Sequence, residues 1–147
     1  MKRIGLIACS AHKLGKENPA QKFKAQDIYT GNTFKKSKTI GLARFSCEDW
    51  HILSAKYGLL DKDDEISYYD MYLGHQRTAY KKAWAEKVVA RLKEKYDLTQ
   101  TVFYIFGGAD YYKRLLPHLH CFVFKYINSN TINLDDMMEY RFGEKQR

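Results

Sequence analysis

Trp50–Leu60 reads WHILSAKYGLL, an apolar run with the character of a buried strand, closed by a polar turn that a strand would not choose. Outward from it lie three similar runs: Arg3–Cys9 (RIGLIAC), Thr101–Phe106 (TVFYIF) and His120–Ile127 (HCFVFKYI). None has a helical period, so together with Asp49–Ser54 (DWHILS) they predict four strands. Helical stretches fall between them. A short helix is expected over Pro19–Ile28, with proline in its first turn, and another within Gly31–Phe45. Gly74–Tyr96 carries Ala79, Ala83, Val89, Leu92 and Tyr96 at spacings near three and four, the pattern of the longest helix. Ala109–Leu116 predicts a short helix that Pro117 ends. Thr131–Phe142 predicts a last one, capped by Thr131 or Asn133. The acidic Asp61–Leu73 segment reads as an extended loop. Strands alternating with helices predict βαβ units: one α/β domain over residues 1–147, with a mostly parallel central sheet of about four strands flanked by helices.

Length and composition agree with one domain. The 147 residues are 45% hydrophobic and 29% charged, close to the globular average, and no uncharged run approaches the length of a bilayer span. The apolar stretch after Met1 is too short for a signal peptide, so a cytoplasmic protein without membrane contact is expected. Cys9, Cys47 and Cys121 are odd in number and widely separated, which argues against a disulfide framework and a zinc site. The five histidines are scattered, and neither a metal nor another cofactor is expected. The net charge is +8 and the chain holds 12 tyrosines, 8 phenylalanines and 2 tryptophans. Excess cation attracts polyanions and aromatic faces accept bases, so nucleic acid or a nucleotide is the expected partner.

Three strands end in unusual short sequences: Cys9-Ser10, Ser54–Leu60 and Gly107-Gly108 with Tyr111. In a parallel sheet these endings would meet on the edge where ligands settle, beyond the carboxyl ends of the strands. Ser54 offers a hydroxyl, Lys56 a movable ammonium, Tyr57 a stacking face and Gly58 a backbone free to take positive φ. The same residues also suit a tight strand exit in which Ser54 caps and Tyr57 packs. Cys9, followed by Lys13, is either a thiol activated by nearby cations or an inert small hydrophobe. Ser10 and its amide suit an anionic or carbonyl group. Gly107-Gly108 before a helix is a reduced glycine-rich anion loop, with neither dinucleotide nor P-loop spacing. Asp70 is the carboxylate best placed by sequence to orient a water or a ribose hydroxyl. The rest of the acidic segment departs from a calcium loop.

With these residues in view, the chain resembles a group of small bacterial and phage α/β domains. The resemblance is carried by Cys9-Ser10, Lys13, Ala25–Tyr29 with Phe34, Leu53–Leu60, Tyr69-Asp70, and Gly107-Gly108 with Tyr111. That group is distantly similar to YaaA peroxide-stress proteins and to domains that accompany archaeosine-type tRNA modification enzymes. The likeness implies handling of DNA or of modified bases, and adds Tyr29 to the ligand-binding set. The expectation is a protein that recognises a nucleobase or nucleoside and acts on its N-glycosidic bond, as an N-glycosylase or base transglycosylase. Asp70, Lys56 and Ser54 would be catalytic, and Cys9, Ser10, Lys13, Tyr29, Tyr57, Gly58, Gly107, Gly108 and Tyr111 would hold the ligand. The alternative is a nucleotide- or DNA-binding module without turnover.

Overall fold

The computed structural model describes residues 1–124 and 136–146. Strand β1 (Lys2–Ala8) leads through a turn-rich segment to the three-residue strand β2 (Lys22–Lys24) and the one-turn helix α1 (Ala25–Ile28). Next come α2 (Asn32–Lys36), a π-helical turn (Ser37–Gly41) and α3 (Leu42–Arg44), which run on from one another as one helical stretch. Strands β3 (Asp49–Ser54), β4 (Gly58–Leu60) and β5 (Glu65–Ser67) precede the long helix α4 (Thr78–Lys95). The chain then forms β6 (Thr101–Phe106), α5 (Ala109–Tyr112), β7 (His120–Phe124), β8 (Met138–Arg141) and β9 (Glu144–Lys145).

The main sheet has seven strands in the order β4-β3-β1-β6-β7-β8-β9. Pairings β3–β1, β1–β6 and β6–β7 are parallel, whereas β4–β3, β7–β8 and β8–β9 are antiparallel. The sheet is therefore mixed and larger than a mostly parallel sheet of about four strands. The extra strands come from short hairpin returns, which need only a tight turn, whereas a parallel partner needs a crossover. Gly58, at φ +76°, supplies one such turn, and β4 folds back on β3 with Ser54 opposite Gly58. Met138–Arg141, expected as helix, is a strand against β7, and the expected caps Thr131 and Asn133 lie outside the described residues. Pro19–Ile28 is helical only from Ala25, because Lys22–Lys24 pairs with β5 in a separate two-stranded sheet. That pairing also gives the acidic segment a strand of its own.

Alternate residues of each central strand face opposite layers, as the pleat requires. Ile4, Leu6, Leu53, Phe103 and Ile105 pack with Trp84, Val88 and Leu92 of α4. Ile7, Ile52, Val102, Tyr104 and Phe106 pack on the other face with Ile28, Phe34 and Phe45. The β1–β3 connection thus covers one face and the β3–β6 connection the other. Because β3 and β6 lie on opposite sides of β1, the winding reverses there and leaves a crevice beyond the carboxyl ends of β1 and β6.

Candidate functional site

A cavity of about 450 Å³ occupies that crevice. One wall is the exit of β1, Ile7 to Ser10 with His12, and the opposite wall is Phe106 to Tyr111 after β6. Gly31 to Phe34, at the start of α2, with Ser37 and Tyr72, also line it. Of the residues expected to hold a ligand, Cys9, Ser10, Gly107, Gly108 and Tyr111 line this cavity. Two of the three unusual strand endings therefore converge, and the winding of the sheet brings them together.

Gly107 is a packing residue. A Cβ there would lie 2.6 Å from the Cβ of Ala8 on the neighbouring strand, so glycine lets β1 and β6 stay in register up to the cavity floor. Gly108 is open, with nothing within 4 Å of a Cβ built on it. The Ser10 hydroxyl donates to the His12 carbonyl at 2.7 Å and accepts from the Gly31 amide at 3.3 Å, which ties the β1 exit to the entry of α2. The Cys9 thiol lies 3.3 Å from the Tyr111 hydroxyl, a hydrogen bond across the crevice. Burial pushes the Tyr111 phenol well above its usual range, with Cys9 adding to the shift, so the hydroxyl stays protonated.

The third ending, Ser54–Leu60, acts as a brace beside the cavity. Ser54 is 0% exposed, and its hydroxyl accepts from the Tyr57 amide at 3.1 Å and bonds the Tyr69 hydroxyl at 2.8 Å. The Ser54 carbonyl accepts from the Trp84 indole at 2.7 Å, and that of Ala55 from the Tyr80 hydroxyl, also at 2.7 Å. The polar turn that follows β3 is thus fastened to α4 by its own backbone, which answers why a strand should end in these residues. Tyr57 packs edge-on against Tyr69, and Lys56 is exposed with its ammonium 5.2 Å from the Tyr57 ring centre. Neither residue lines the cavity, and nor does Gly58.

Tyr29 is buried and meets the Tyr69 hydroxyl at 2.7 Å, which extends the hydroxyl chain Tyr29–Tyr69–Ser54. Burial raises both phenols far above their usual range, so the chain is neutral. Above it sits Lys13, whose ammonium lies 4.5 Å from the Tyr69 ring centre, 5.8 Å from that of Tyr68 and 5.9 Å from that of Tyr29. Burial lowers its pKa against the opposing pull of Cys9 and Asp70. Asp70 is exposed and outside the cavity wall.

Asp110, which the sequence reading passed over, is the carboxylate among the described residues of the wall, and it is paired with Lys81 of α4 at 3.3 Å. Tyr72, also passed over, is 54% exposed at the cavity, edge-on to His75 at 4.6 Å between ring centres. Asp110 follows Gly107-Gly108 within FGGADYY and could have been found there. Tyr72 had no signal apart from the tyrosine-rich SYYDMY that contains it. Among the described residues, no group of three or more His, Cys, Asp or Glu side chains is arranged to hold a metal ion. No described helix is long and apolar enough to cross a membrane.

A second depression, of about 540 Å³, lies at the opposite end of β3. It holds buried His51, whose Nδ1 meets Asp61 at 2.9 Å and whose Nε2 meets the Tyr96 hydroxyl at 2.6 Å. Asp61 is held in turn by Lys95 at 3.1 Å. Both ring nitrogens are engaged within the chain, so the cluster fastens α4 and β4 to β3.

Residues 4–131 match the model of a family described as a family of unknown function, DUF6884. The chain belongs to that family. The match takes in both walls of the cavity, the Ser54–Leu60 brace and all of α4. No curated protein and no solved structure matches the chain.

Proposed function

We propose that the chain recognises a nucleobase or nucleoside, free or within a nucleic acid, and acts on its N-glycosidic bond. The observation that carries this reading is the cavity at the β1/β6 crevice. Its volume, about 450 Å³, falls within the range of small-molecule sites and suits a nucleoside. Its surface joins an exposed aromatic ring, Tyr72, to a carboxylate, Asp110, and an open backbone at Gly108. A base needs a stacking face and a few fixed polar partners, and a sugar needs a hydrogen-bond acceptor for its hydroxyls; these groups supply both. The net charge of +8 favours a ligand that carries phosphate.

In this reading Tyr72 stacks on the base and the Gly108 backbone approaches its edge. Departure of the base leaves positive charge on the sugar, which a carboxylate stabilises. Asp110 is the carboxylate among the described residues of the cavity wall, and Asp70, which lies outside the wall within electrostatic reach of Lys13, is the candidate for orienting water. Kinship with YaaA proteins and with archaeosine-type modification domains belongs to the same proposal. A base in a duplex would have to leave the stack to enter.

The test is a panel of nucleosides, nucleotides and short DNA and RNA strands, read for retained ligand and for released base by mass spectrometry. Tyr72→Ala should weaken retention of whichever ligand is held. Release that disappears in Asp110→Asn or Asp70→Asn, with retention unchanged, supports glycosidic chemistry and identifies the carboxylate. Retention without release makes the chain a binding module, and no retention even at low salt refutes the nucleoside reading.

A further inference from the structure

Lys13 holds its amine within 5.9 Å of three tyrosine ring centres. Its backbone is pinned: Lys13 bridges Tyr29, the Leu14 amide donates to the Ile28 carbonyl at 2.9 Å, and the Thr30 amide donates to the His12 carbonyl at 2.9 Å. Its amine stands among the rings of Tyr29, Tyr68 and Tyr69, with one hydrogen bond, a long one of 3.3 Å to the Ala11 carbonyl. No carboxylate among the described residues reaches it as an ion pair. It adjoins the cavity through His12 and Cys9, both in the wall.

A strongly hydrated ammonium is poorly served by such a position. The rings attract a cation but accept no strong hydrogen bonds, and half-burial withholds water from the amine. A protonated imine is a more delocalised cation with fewer N–H groups to satisfy, so the same three rings suit it better. The fixed backbone then serves to present the amine in one place.

We propose that Lys13 is a nucleophile that forms an imine with the C1′ aldehyde of a sugar that has lost its base. The proposal rests on the nucleoside reading of the adjoining cavity, and extends it to an abasic sugar within a nucleic acid strand. The neutral amine adds its lone pair to C1′ and the carbonyl π bond breaks, giving a carbinolamine. The C1′ hydroxyl then takes a proton from solvent and leaves as water while the nitrogen lone pair forms the C=N bond, giving the protonated imine, and nothing is oxidised or reduced. Burial lowers the pKa of the amine, the direction that favours the neutral form this addition requires.

The experiment is reductive trapping. The full chain is mixed with a single-stranded oligodeoxynucleotide that carries one abasic site, borohydride is added, and the adduct is sought on a denaturing gel and located by peptide mass spectrometry. Binding of the same oligonucleotide without borohydride is measured alongside. An adduct on the Lys13 peptide, lost in Lys13→Arg and retained in the variant of an exposed α4 lysine, Lys82→Arg, supports the proposal. Arginine keeps a cation among the rings and forms no such imine, and unchanged thermal unfolding excludes loss of the fold as the cause. An adduct spread over other lysines, or no adduct although the oligonucleotide binds, overturns the role of Lys13 and leaves the nucleoside reading standing. Failure of trapping together with failure of every ligand in the nucleoside panel refutes both.

Discussion

Ser54→Ala separates the two roles that Ser54 could have. The hydroxyl is buried and holds two partners, the Tyr57 amide at 3.1 Å and the Tyr69 hydroxyl at 2.8 Å. After truncation Tyr69 keeps its bond to Tyr29, while the Tyr57 amide, on a half-buried residue, loses its acceptor. A hydrogen bond contributes about 1 kcal/mol net, and a polar group left unsatisfied costs about 1–3 kcal/mol. The variant should therefore lose roughly 2–3 kcal/mol of unfolding free energy, read from urea melts followed by tryptophan fluorescence. For a domain of this length that is about 4–12 °C in Tm. Tyr69→Phe removes the same Ser54–Tyr69 bond together with the Tyr29 one. The double variant should fall short of the sum of the single losses by about 1 kcal/mol, the coupling expected of neighbours in one network. Ligand affinity of folded Ser54→Ala should be close to that of the parent. A loss of stability below about 0.5 kcal/mol, the range of an ordinary surface change, would refute the bracing role, and a selective loss of turnover would return Ser54 to the reaction.

The adjacent glycines should behave oppositely. Gly107→Ala drives a methyl to within 2.6 Å of the Ala8 Cβ and should destabilise by about 1–3 kcal/mol, whereas Gly108→Ala should stay within about 0.5 kcal/mol in the same melts. His51 should give the chain a pH dependence. Burial lowers its folded-state pKa, although Asp61 and Asp49 oppose this, so below the unfolded value of about 6.5 the unfolded chain takes up a proton that the folded chain resists. Stability should fall as pH drops from about 6.5 toward the folded value, and above about pH 6.5 it should be insensitive to this group. His51→Gln should remove that slope in urea melts between about pH 7.5 and pH 5.5, and an unchanged slope would contradict the assignment.

The parts of the fold legible in the sequence were those with a long enough signal. The apolar runs in β1, β3, β6 and β7 and the periodic face of α4 each span several residues, and burial on one or both faces selected them. Gly58–Leu60 gave three residues after a glycine, too few to distinguish a returning strand from a loop, and this return helps make the sheet mixed. In Met138–Arg141 the apolar residues Met138 and Tyr140 alternate with charged ones, which two residues of either pattern cannot resolve; pairing with β7 decides it. For the site, the exits of β1 and β6 were found because cysteine, serine and paired glycines are unusual at strand ends. Asp110 lies in the same FGGADYY stretch as the paired glycines, whereas Tyr72 reaches the cavity from a segment whose position depends on its packing against α5.

The likeness of Ser54–Leu60 to the other two endings has a physical source that is separate from ligand binding. A parallel strand that must turn back at once beside its own sheet needs a residue with positive φ, acceptors for the backbone groups freed by the turn, and donors from the next element to cap its carbonyls. Gly58, Ser54, and the Trp84 and Tyr80 side chains meet these needs in that order. The exits of β1 and β6 face a different demand, because the winding reverses between them and leaves a cavity there among the described residues. Small residues hold the two strands close there, and Cys9, Asp110 and Tyr111 are left facing the gap. Substitutions in the turn should therefore act on stability first, and substitutions around the gap on the ligand.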